Sequence, residues 1–502
     1  MLRILTRNAG SNVSVMLVKM GFAFVMAPVI VRALGNYDYG LWEIVLSLVG
    51  YMGMLDMGMR PAVTRYVAKF NAEGNRSSLN KLFSTTVVFN GIIGLLACSI
   101  LIAWASFNPE ILAEHNTNTD RYVFFLLIIA TQLLFQFPGY IAECFHMGHQ
   151  RHFLKNNITI FNTIVGCSCI LYLLSHGYGL ITLALVNCIG VTLKYTIYFL
   201  LLFSKKYGEY RIKKKYFSLS MLRVLLLFGG KSFVMGIAGT ISGGISKVAI
   251  GFFLGPAAVP FYTIPARLIS YISQFTMTVS NVFMPMFSHL QAKGEDEQLK
   301  NMYMVATKYI VGVTCPMAIG ISLLGPHFIS RWIGPEYAEN CNYILYFLSI
   351  GSILCLGNPL FSRFMTGTGQ VGFLAIIRSL GALLLLIITL LLIRPYGKEG
   401  VAFAYLATYC LVAPYEFWYA TKQLKIKTFS FVWKVYAPLI SPNIILFFFV
   451  AYIVDKLHPE TYSTIGLVIL SSLLVYLGCF IIFSMSGKER LYVAQTIKTK
   501  FA

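Results

Sequence analysis

The sequence predicts an all-α polytopic membrane protein with about 14 transmembrane helices, and three observations support this prediction. Of the 502 residues, 57% are hydrophobic and only 12% are charged, whereas a soluble domain has about 25% charged residues. Apolar blocks of about 20 residues, the length that a helix needs to cross a bilayer, recur along the whole chain. Membrane β-strands would be about 10 residues long and would alternate in polarity, so the blocks are predicted to be helices.

The apolar blocks form two series of seven predicted spans. The first series lies near residues 12–34, 40–62, 82–106, 121–142, 156–175, 178–203 and 225–253. The second series lies near residues 258–287, 303–325, 341–364, 373–394, 398–421, 433–454 and 463–485. Each block exceeds about 18 residues, so each is long enough to cross the membrane once.

The distribution of basic residues predicts that both termini are cytoplasmic. Lys and Arg number 40 against 19 Asp and Glu, which gives a net charge of +21. Cytoplasmic connections are enriched in Lys and Arg, and with the N-terminus inside, these connections hold 24 basic residues while the outer ones hold five. An even number of spans follows. Because the positive charge is spread over short connections, no nucleic-acid partner is expected.

The two halves of the sequence resemble each other at a separation of about 220 residues. The matched positions are Leu34-Gly35 with Leu254-Gly255, Tyr51 with Tyr271, Ala72-Glu73-Gly74 with Ala292-Lys293-Gly294, and Phe153-Leu154 with Phe373-Leu374. Six spans separate the two copies, so both halves have the same orientation and their pseudo-symmetry axis runs along the membrane normal.

This repeat predicts four regions. They are an N-terminal lobe of six spans at 1–203, a basic cytoplasmic linker at 204–223, a C-terminal lobe of six spans at 224–421, and a last region at 422–502 with two spans and a cytoplasmic tail. The longest cytoplasmic connection therefore lies where one half is joined to the other.

Three motifs follow one another in residues 34–68. They are Leu34-Gly35 with Tyr39-Gly40-Leu41-Trp42, then Leu55-Asp56-x-Gly58, then Arg65-Tyr66-Val67-Ala68. Their order and spacing resemble the opening signature of bacterial polysaccharide-transport proteins of the O-antigen flippase type, in the superfamily that also contains multidrug-and-toxin extruders and the lipid II flippase. The resemblance implies two pseudo-symmetric six-helix lobes around a central cavity, two further C-terminal helices, alternating access, and a place in the bacterial inner membrane.

The same resemblance implies a transporter and not an enzyme. Its substrate would be an undecaprenyl-pyrophosphate-linked oligosaccharide, the repeat unit of O-antigen lipopolysaccharide or a similar surface polysaccharide, moved from the cytoplasmic to the outer leaflet. Membrane lipid would surround it, a polysaccharide polymerase or glycosyltransferases would be its partners, and it would work as a monomer. No cofactor is expected, although proton or sodium coupling could add to the membrane potential as driving force.

Cations predominate among the charged residues within or at the ends of the predicted spans. A charge at mid-bilayer costs at least about 2.5–3.5 kcal/mol, so such residues tend to face a cavity or each other. A positive cavity would suit the phosphates of a lipid-linked sugar. The candidate substrate-binding residues are Lys19, Arg32, Lys231, Lys247, Arg267, Arg363 and Arg378. Snorkelling to the interface is the alternative for those near span ends; Lys194 is a further cation inside a span.

Two acidic residues, Glu43 and Asp56, are candidates for ion coupling. Asp56 and Arg60 are spaced i,i+4, so an ion pair within one helix is the simplest interpretation for them. Asp56 could instead pair with Lys19 or titrate during a proton-coupled cycle.

The seventh predicted span contains a group of glycines, of which Gly239, Gly243 and Gly244 are the candidate hinge for alternating access. Close helix packing is the alternative explanation. Lys231 and Lys247 are 16 residues apart in this span, which is about 160° around an ideal helix. Both can face one cavity only if the helix bends.

Several other functions have less support. The run Gly229–Ser232 resembles the end of a P-loop, but the first glycine of that motif is replaced by Leu225. The histidines His146, His149 and His152 have no acid-rich group of residues nearby to complete a metal site, so no metal is expected. A multidrug or cation antiporter would favour an acidic cavity, and a glycan polymerase or transferase would need a large soluble loop with carboxylates; both remain alternatives.

Overall fold

The computed structural model describes residues 2–107, 119–207, 210–355, 357–487 and 489–491. Within these ranges the chain forms sixteen α-helices and no β-strand. The helices are α1 Leu2–Met52, α2 Met59–Ala72, α3 Arg76–Phe107, α4 Thr119–Gly148, α5 His152–Ser175, α6 Leu180–Phe203, α7 Leu219–Leu254, α8 Val259–Ser280, α9 Phe283–Lys293, α10 Asp296–Trp332, α11 Pro335–Leu354, α12 Asn358–Gly367, α13 Val371–Gln423, α14 Thr428–Val435, α15 Ala437–Leu457 and α16 Tyr462–Cys479. The predicted all-α class is confirmed.

Eleven of the described helical segments are long and apolar enough to cross a membrane. Two of them are interrupted at a glycine, α1 at Gly35 (φ 74°, ψ 177°) and α13 at Gly397 (φ 59°, ψ −142°). Glycine adopts such backbone readily, whereas a residue with a Cβ is strained there. Both α1 and α13 therefore consist of two successive helices, and the breaks lie where the sequence predicts turns between spans. The number 14 itself stays a prediction.

Three predicted spans are divided in the structure where the sequence predicts continuous helices. In the second predicted span, α1 ends at Met52, a 3₁₀ turn covers Gly53–Asp56, and α2 begins at Met59. Met57 (φ 50°) and Gly58 (φ 71°) are left-handed between them, and this backbone ends a right-handed helix. The predicted spans 258–287 and 341–364 are likewise divided, into α8 with α9 and α11 with α12.

Contacts divide the chain into two compact units, Met1–Val259 and Pro260–Ala502. In the first unit α7 packs against α1 and α2. The sequence places a lobe boundary at residue 224, whereas the contacts group α7 with the helices that precede the basic linker.

Among the described residues of the first unit, two core clusters lie toward opposite ends of the helices. One cluster contains Leu41, Ala105, Phe125 and Leu180, which lie near span ends predicted to face outside. The other contains Ala62, Leu82, Phe145, Leu202 and Leu225, near ends predicted to face the cytoplasm. This grouping of helix ends is what an alternating up-and-down order of helices produces.

In the second unit, α10 packs against α11, α15 and α16. The approach of the last helices is close: a Cβ on Gly312 would lie 2.6 Å from the Phe480 ring. The Tyr476 hydroxyl donates to the Gly312 carbonyl at 2.5 Å, and the Ser484 hydroxyl donates to the Pro438 carbonyl at 2.7 Å. The two helices beyond the predicted repeat are therefore an integral part of this unit.

The 220-residue repeat is visible in the backbone. Three pairs of glycines with positive φ differ by 220 in residue number: Gly35 (74°) and Gly255 (87°), Gly74 (64°) and Gly294 (71°), and Gly177 (81°) and Gly397 (59°). Positive φ is costly for any residue with a Cβ, so glycine is retained where both halves end a helix in the same way.

The basic linker is attached to α3 and is not a free loop. The Ser84 hydroxyl donates to the carbonyl of Arg211 at 3.1 Å, and the Thr85 hydroxyl accepts from the Ser218 N–H at 3.0 Å. Tyr210 is 4% exposed and packs on Phe83, with 5.5 Å between ring centroids. These contacts hold the linker against the first unit.

Candidate functional site

Three lysines and one glutamate lie near one another in the first unit, and we call this group the lysine cluster: Lys19 on α1, Lys155 on α5 and Lys194 on α6, with Glu143 on α4. Lys155 Nζ lies 3.4 Å from Glu143 Oε1. Lys194 interacts electrostatically with Glu143, Lys19 and Lys155. Three positive charges against one negative charge leave the cluster cationic.

In the described part of the chain, no salt bridge neutralises two lysines of this cluster. Lys19 is exposed, Lys194 is half-buried, and neither forms an ion pair of salt-bridge length with another residue in the described part of the chain. Lys194 precedes the last residue of α6, Phe203, by nine positions, so it lies about 14 Å inside that helix. Of this group, only Lys19 is predicted from the sequence to bind substrate. Lys194 could have been selected as well, because it lies inside an apolar block.

A chain of polar side chains runs along α4 inside the same unit. The amide of Asn187 donates to the Gln132 carbonyl oxygen at 3.0 Å, and the Gln132 amide donates to Gln136 at 2.8 Å. Gln136 in turn donates to the hydroxyl of Tyr140. In the sequence, this row of polar side chains is marked by the i,i+4 spacing of Gln132, Gln136 and Tyr140 within an apolar block, a signal that is absent from the predictions above.

The polar chain and the lysine cluster meet at two tyrosines. The rings of Tyr140 and Tyr195 are 5.8 Å apart, and Lys194 Nζ lies 4.1 Å from the Tyr195 ring centroid. On the other side of Tyr140, the guanidinium carbon of Arg60 lies 4.2 Å from the ring centroid, a cation–π distance. Ammonium groups for an anion thus adjoin amides and hydroxyls, which can hydrogen-bond to sugar hydroxyls.

Arg60 and Asp56 form the predicted ion pair, but not within one helix. Arg60 Nε donates to Asp56 Oδ2, across the break between the 3₁₀ turn Gly53–Asp56 and α2. Asp56 Oδ1 accepts from the Gly58 N–H at 2.9 Å. The carboxylate therefore stabilises the left-handed turn as well as the arginine.

Two motif glycines lie at close helix approaches in the first unit. A Cβ on Gly40 would lie 1.8 Å from the Pro256 carbonyl oxygen, and a Cβ on Gly58 would lie 2.4 Å from the Gly229 carbonyl oxygen. No side chain fits at such distances. The Tyr-Gly-Leu-Trp and Leu-Asp-x-Gly motifs therefore mark places where the backbones of α1 and α2 approach the α7 region.

Glu43 and Lys247, predicted for coupling and substrate binding, are paired with each other. Lys247 Nζ lies 2.6 Å from Glu43 Oε2, and the Tyr39 hydroxyl donates to Oε1 at 3.1 Å. Glu43 is 3% exposed. The Glu43 carboxylate neutralises Lys247. Lys247 therefore has a salt-bridge partner, whereas Lys19 and Lys194 have none among the described residues.

The candidate hinge lies in a continuous α7. Gly239 and Gly243 have open space around them, whereas a Cβ on Gly244 would lie 2.9 Å from the Tyr51 hydroxyl. Gly244 thus allows a close approach of α1, and the hinge stays a prediction. Lys231 lies on α7, but its side chain is outside the described residues.

The four arginines that the sequence predicts for substrate binding are not members of the lysine cluster. Arg32 is exposed on α1. In the second unit, half-buried Arg267 on α8 lies within electrostatic range of Tyr271. Arg363 on α12 has a buried Nε without a hydrogen-bond partner in the described part of the chain, and Arg378 on α13 is 3.7 Å from the buried Glu416.

The histidine run has a structural role at the end of α4. The Tyr210 hydroxyl lies 2.7 Å from His149 Nε2. Burial, together with the nearby positive charge of Arg151, lowers the pKa of His149 to about 4. Among the described residues, no group of three or more His, Cys, Asp or Glu side chains is placed to hold a metal ion.

Two described cavities of the second unit, about 440 and 580 Å³, have linings without a charged residue. The first is lined by α10, α15 and α16, with Pro316, Met317 and Leu446 among its residues. An uncompensated phosphate in such surroundings would be strongly disfavoured. These cavities are therefore suited to hydrocarbon and not to an anionic group.

The fold defines the class of protein. The structure resembles that of the lipid II flippase MurJ in an inward closed conformation, with a TM-score of 0.71 and 16% sequence identity, over 94% of this chain and 98% of that one. This likeness establishes a MurJ-like helical fold, and the eleven described segments of membrane-spanning length and apolarity make the chain a multi-pass membrane protein.

The family follows from the sequence comparison. Residues 5–291, more than half of the chain, match the polysaccharide biosynthesis protein family, and the chain belongs to that family. It is 21% identical to a putative O-antigen transporter of Shigella flexneri, over 79% of this chain and 92% of the relative. It is also 21% identical to a probable low-salt glycan biosynthesis flippase of Haloferax volcanii, over 76% of each chain. The family resemblance found in residues 34–68 is confirmed.

Proposed function

We propose that this protein is a flippase that moves a polyprenyl-pyrophosphate-linked oligosaccharide, such as an undecaprenyl-linked repeat unit of a surface polysaccharide, from the cytoplasmic to the outer leaflet. The observation that carries the proposal is the cationic lysine cluster next to a polar chain, inside helices of membrane-spanning length. Family membership and the names of the two relatives, an O-antigen transporter and a glycan flippase, support the same reading.

The lysine cluster supplies what a pyrophosphate needs. Lys19 and Lys194 have ammonium groups that salt bridges do not occupy, and charge-assisted hydrogen bonds from such groups to phosphate oxygens are short and strong. Glu143 holds Lys155 at 3.4 Å, so the excess charge remains on the other two lysines. We therefore assign the phosphates to Lys19 and Lys194.

The polar chain supplies what the sugar needs. Each hydroxyl moved into hydrocarbon without a partner costs several kcal/mol, so a glycan does not cross a bilayer unaided at a useful rate. Gln136 and Tyr140, half-buried beside the cluster, offer donors and acceptors that replace water. The polyprenyl chain has no such cost and can stay in hydrocarbon throughout.

The membrane potential supplies a driving force. With the cell interior negative, outward movement of an anionic headgroup gains about 2.3 kcal/mol per charge per 100 mV. This mechanism needs no ATP, in keeping with the incomplete P-loop at Gly229–Ser232. This driving force acts only if the headgroup stays anionic while it crosses. Lysines at membrane depth favour the ionised phosphate, because a nearby positive charge stabilises it.

The test is transport by the full chain reconstituted in liposomes, with a fluorescent polyprenyl-pyrophosphate disaccharide as probe. Accessibility of the label to a membrane-impermeant quencher reports its leaflet. We expect Lys19→Glu and Lys194→Glu each to reduce the rate at least about tenfold, because loss of one charge-assisted contact and gain of repulsion together exceed about 1.4 kcal/mol. Lys69→Glu is the matched control, since Lys69 lies on the surface of the same unit.

Three results would contradict the proposal. Wild-type liposomes that leave the probe in its original leaflet would remove the flippase function. Equal rates for Lys194→Glu and Lys69→Glu would remove the lysine cluster from the mechanism. Transport of a lipophilic cation instead of the anionic probe would favour the cation antiporter.

A further inference from the structure

The second unit contains a buried carboxylate that lacks hydrogen-bond donors. Glu416 lies in the second half of α13 and is 1% exposed. Neither of its oxygens has a hydrogen-bond partner in the described part of the chain. Arg378, in the first half of α13, places Nη2 at 3.7 Å from Oε1, which is within ion-pair range but too long for a hydrogen bond.

This arrangement differs from those of the other buried acids. Glu43 accepts hydrogen bonds from Tyr39 and Lys247, and Asp56 accepts them from Gly58 and Arg60. Those carboxylates are held as anions by donors aimed at their oxygens. Glu416 has no such donors, and an ionised carboxylate without them is poorly stabilised in a buried site.

The groups that face Glu416 come from three parts of the unit. They are Arg378 and Tyr409 on α13, Tyr303 on α10, and Cys355 directly after α11. Tyrosine and cysteine side chains are neutral near pH 7, so Arg378 is the only permanently charged group among them. One carboxyl and one cation form a site with room for a single exchangeable proton.

The position of the pair suits exchange with the cytoplasm. Arg378 follows the first residue of α13 by seven positions, and Glu416 precedes the last residue by seven. Both therefore lie about 10 Å from the same end of this kinked helix pair. The Arg378 side chain is 31% exposed, whereas that of Glu416 is 1% exposed, so of the two partners only the arginine reaches the accessible surface.

We propose that Glu416 is the proton-binding site of this transporter. In one state it is a buried, neutral carboxylic acid; in the other it has released its proton to solution and its carboxylate contacts Arg378. No bond other than O–H is made or broken, and the proton comes from and returns to bulk water. The proton site stands on the geometry alone, whereas its coupling to flipping rests on the proposed function.

Infrared spectroscopy of the full chain in lipid nanodiscs tests the proton site without a substrate. We expect the wild type to show a carboxylic-acid C=O band of a buried acid that disappears as pH is raised. Glu416→Gln should remove this band, and Glu399→Gln, at a partly exposed position on the same helix, should keep it. Arg378→Gln should make the band persist to higher pH, because the carboxylate loses its counter-ion.

Three infrared results would contradict Glu416 as the proton-binding site. A pH-dependent band that survives in Glu416→Gln would assign the proton to another residue. A band that responds to sodium at constant pH would make this a cation site. If Glu416→Gln does not fold, an Arg378→Gln band with wild-type pH dependence would overturn the proposal by itself.

Liposome transport then separates coupling from flipping. With an imposed pH gradient, we expect Glu416→Gln to flip the fluorescent probe at a rate independent of the gradient, while Glu399→Gln keeps the wild-type dependence. A Glu416→Gln variant that retains the full dependence would overturn coupling but leave the flippase function intact. Absence of flipping in the wild type would remove the proposed function and leave the infrared result standing.

Discussion

Glu43 and Lys247 form an ion pair between α1 and α7, 204 residues apart in the chain, with 2.6 Å between Oε2 and Nζ. The carboxylate is 3% exposed and also accepts a hydrogen bond from Tyr39. Two residues that the sequence suggests for separate tasks thus neutralise each other and join two helices of the first unit.

Removal of one partner of this pair should destabilise the protein. Lys247→Met leaves a buried carboxylate without its counter-charge, and such changes cost about 3–5 kcal/mol. The double variant Glu43→Gln with Lys247→Met should recover much of this loss, because no charge is left buried. Chemical denaturation of Lys247→Met, Glu43→Gln and the double variant measures the three losses of stability relative to the wild type. Additive losses in the double variant would contradict a direct pair.

Gly40 should tolerate no side chain. A Cβ there would lie 1.8 Å from the Pro256 carbonyl oxygen, whereas one on Gly50, in the same helix, would meet nothing within 4 Å. Overpacking of this kind costs about 1–3 kcal/mol, so Gly40→Ala should lower the Tm by several degrees. Gly50→Ala should leave the Tm unchanged or raise it, since alanine favours helix. Equal Tm values for the two variants would refute the close approach.

Attachment of the basic linker should depend on pH through His149. Its lowered pKa, about 4, means that the folded state favours the neutral imidazole that contacts Tyr210. The free energy that the neutral imidazole contributes to linker attachment is fully present above about pH 6.5, the pKa of an unfolded histidine. It is lost as pH falls toward 4. Hydrogen exchange of residues 210–218, corrected for intrinsic rates, should therefore show loss of protection between pH 7 and 5.

A matched variant isolates the histidine. In His149→Gln, protection of the linker should no longer change over this pH range, because the titrating group is gone. A wild-type linker whose protection is the same at pH 7 and pH 5 would show that the imidazole does not hold it.

The contact between Glu489, in the segment after α16, and Lys308 on α10 should persist to low pH. Partial burial raises the pKa of the Glu489 carboxyl, but hydrogen bonds from the Ser486 N–H, Lys308 and Tyr309 outweigh this and lower it to about 2. The stabilisation is fully present above the unfolded pKa of about 4.3 and is lost as pH falls through 2.

The measurement is again hydrogen exchange, over residues 485–491. Protection should stay constant from pH 7 to about 4.5, and Glu489→Gln should reduce it at every pH in that range. Glu297→Gln is the control, because Glu297 pairs with Lys300 on the exposed surface. Loss of protection already at pH 5 in the wild type would contradict the low pKa.

The class of fold could be predicted because it depends on local properties. Apolar blocks of membrane-spanning length need no tertiary information, and the left-handed glycines Gly35 and Gly397 lie where the sequence predicts turns. The breaks at Met57 and Gly58 could not be predicted, because the surrounding residues are apolar enough to continue a helix. Asp56 accepts from the Gly58 N–H and Arg60 there, and these contacts exist only once the turn has formed.

The candidate site was predictable in part for the same reason. Lys19 could be selected because a lysine in an apolar block is costly wherever it points. Lys194 and Gln136 belong beside it only because α6 packs against both α4 and α1, and a linear sequence does not specify which faces meet. Glu416 also lies in an apolar block, but its lack of hydrogen-bond donors could not be predicted, because that lack is a property of the packed unit.

The sequence by itself determined that the chain lives in a membrane, that it repeats at 220 residues and that it carries an excess of positive charge, since hydropathy, periodicity and composition are sums over residues. Only the tertiary structure decided which charges are neutralised, as at Glu43 with Lys247, and which stay available, as at Lys19 and Lys194. The physical reason is that charge compensation depends on distances of a few ångströms between residues far apart in the chain.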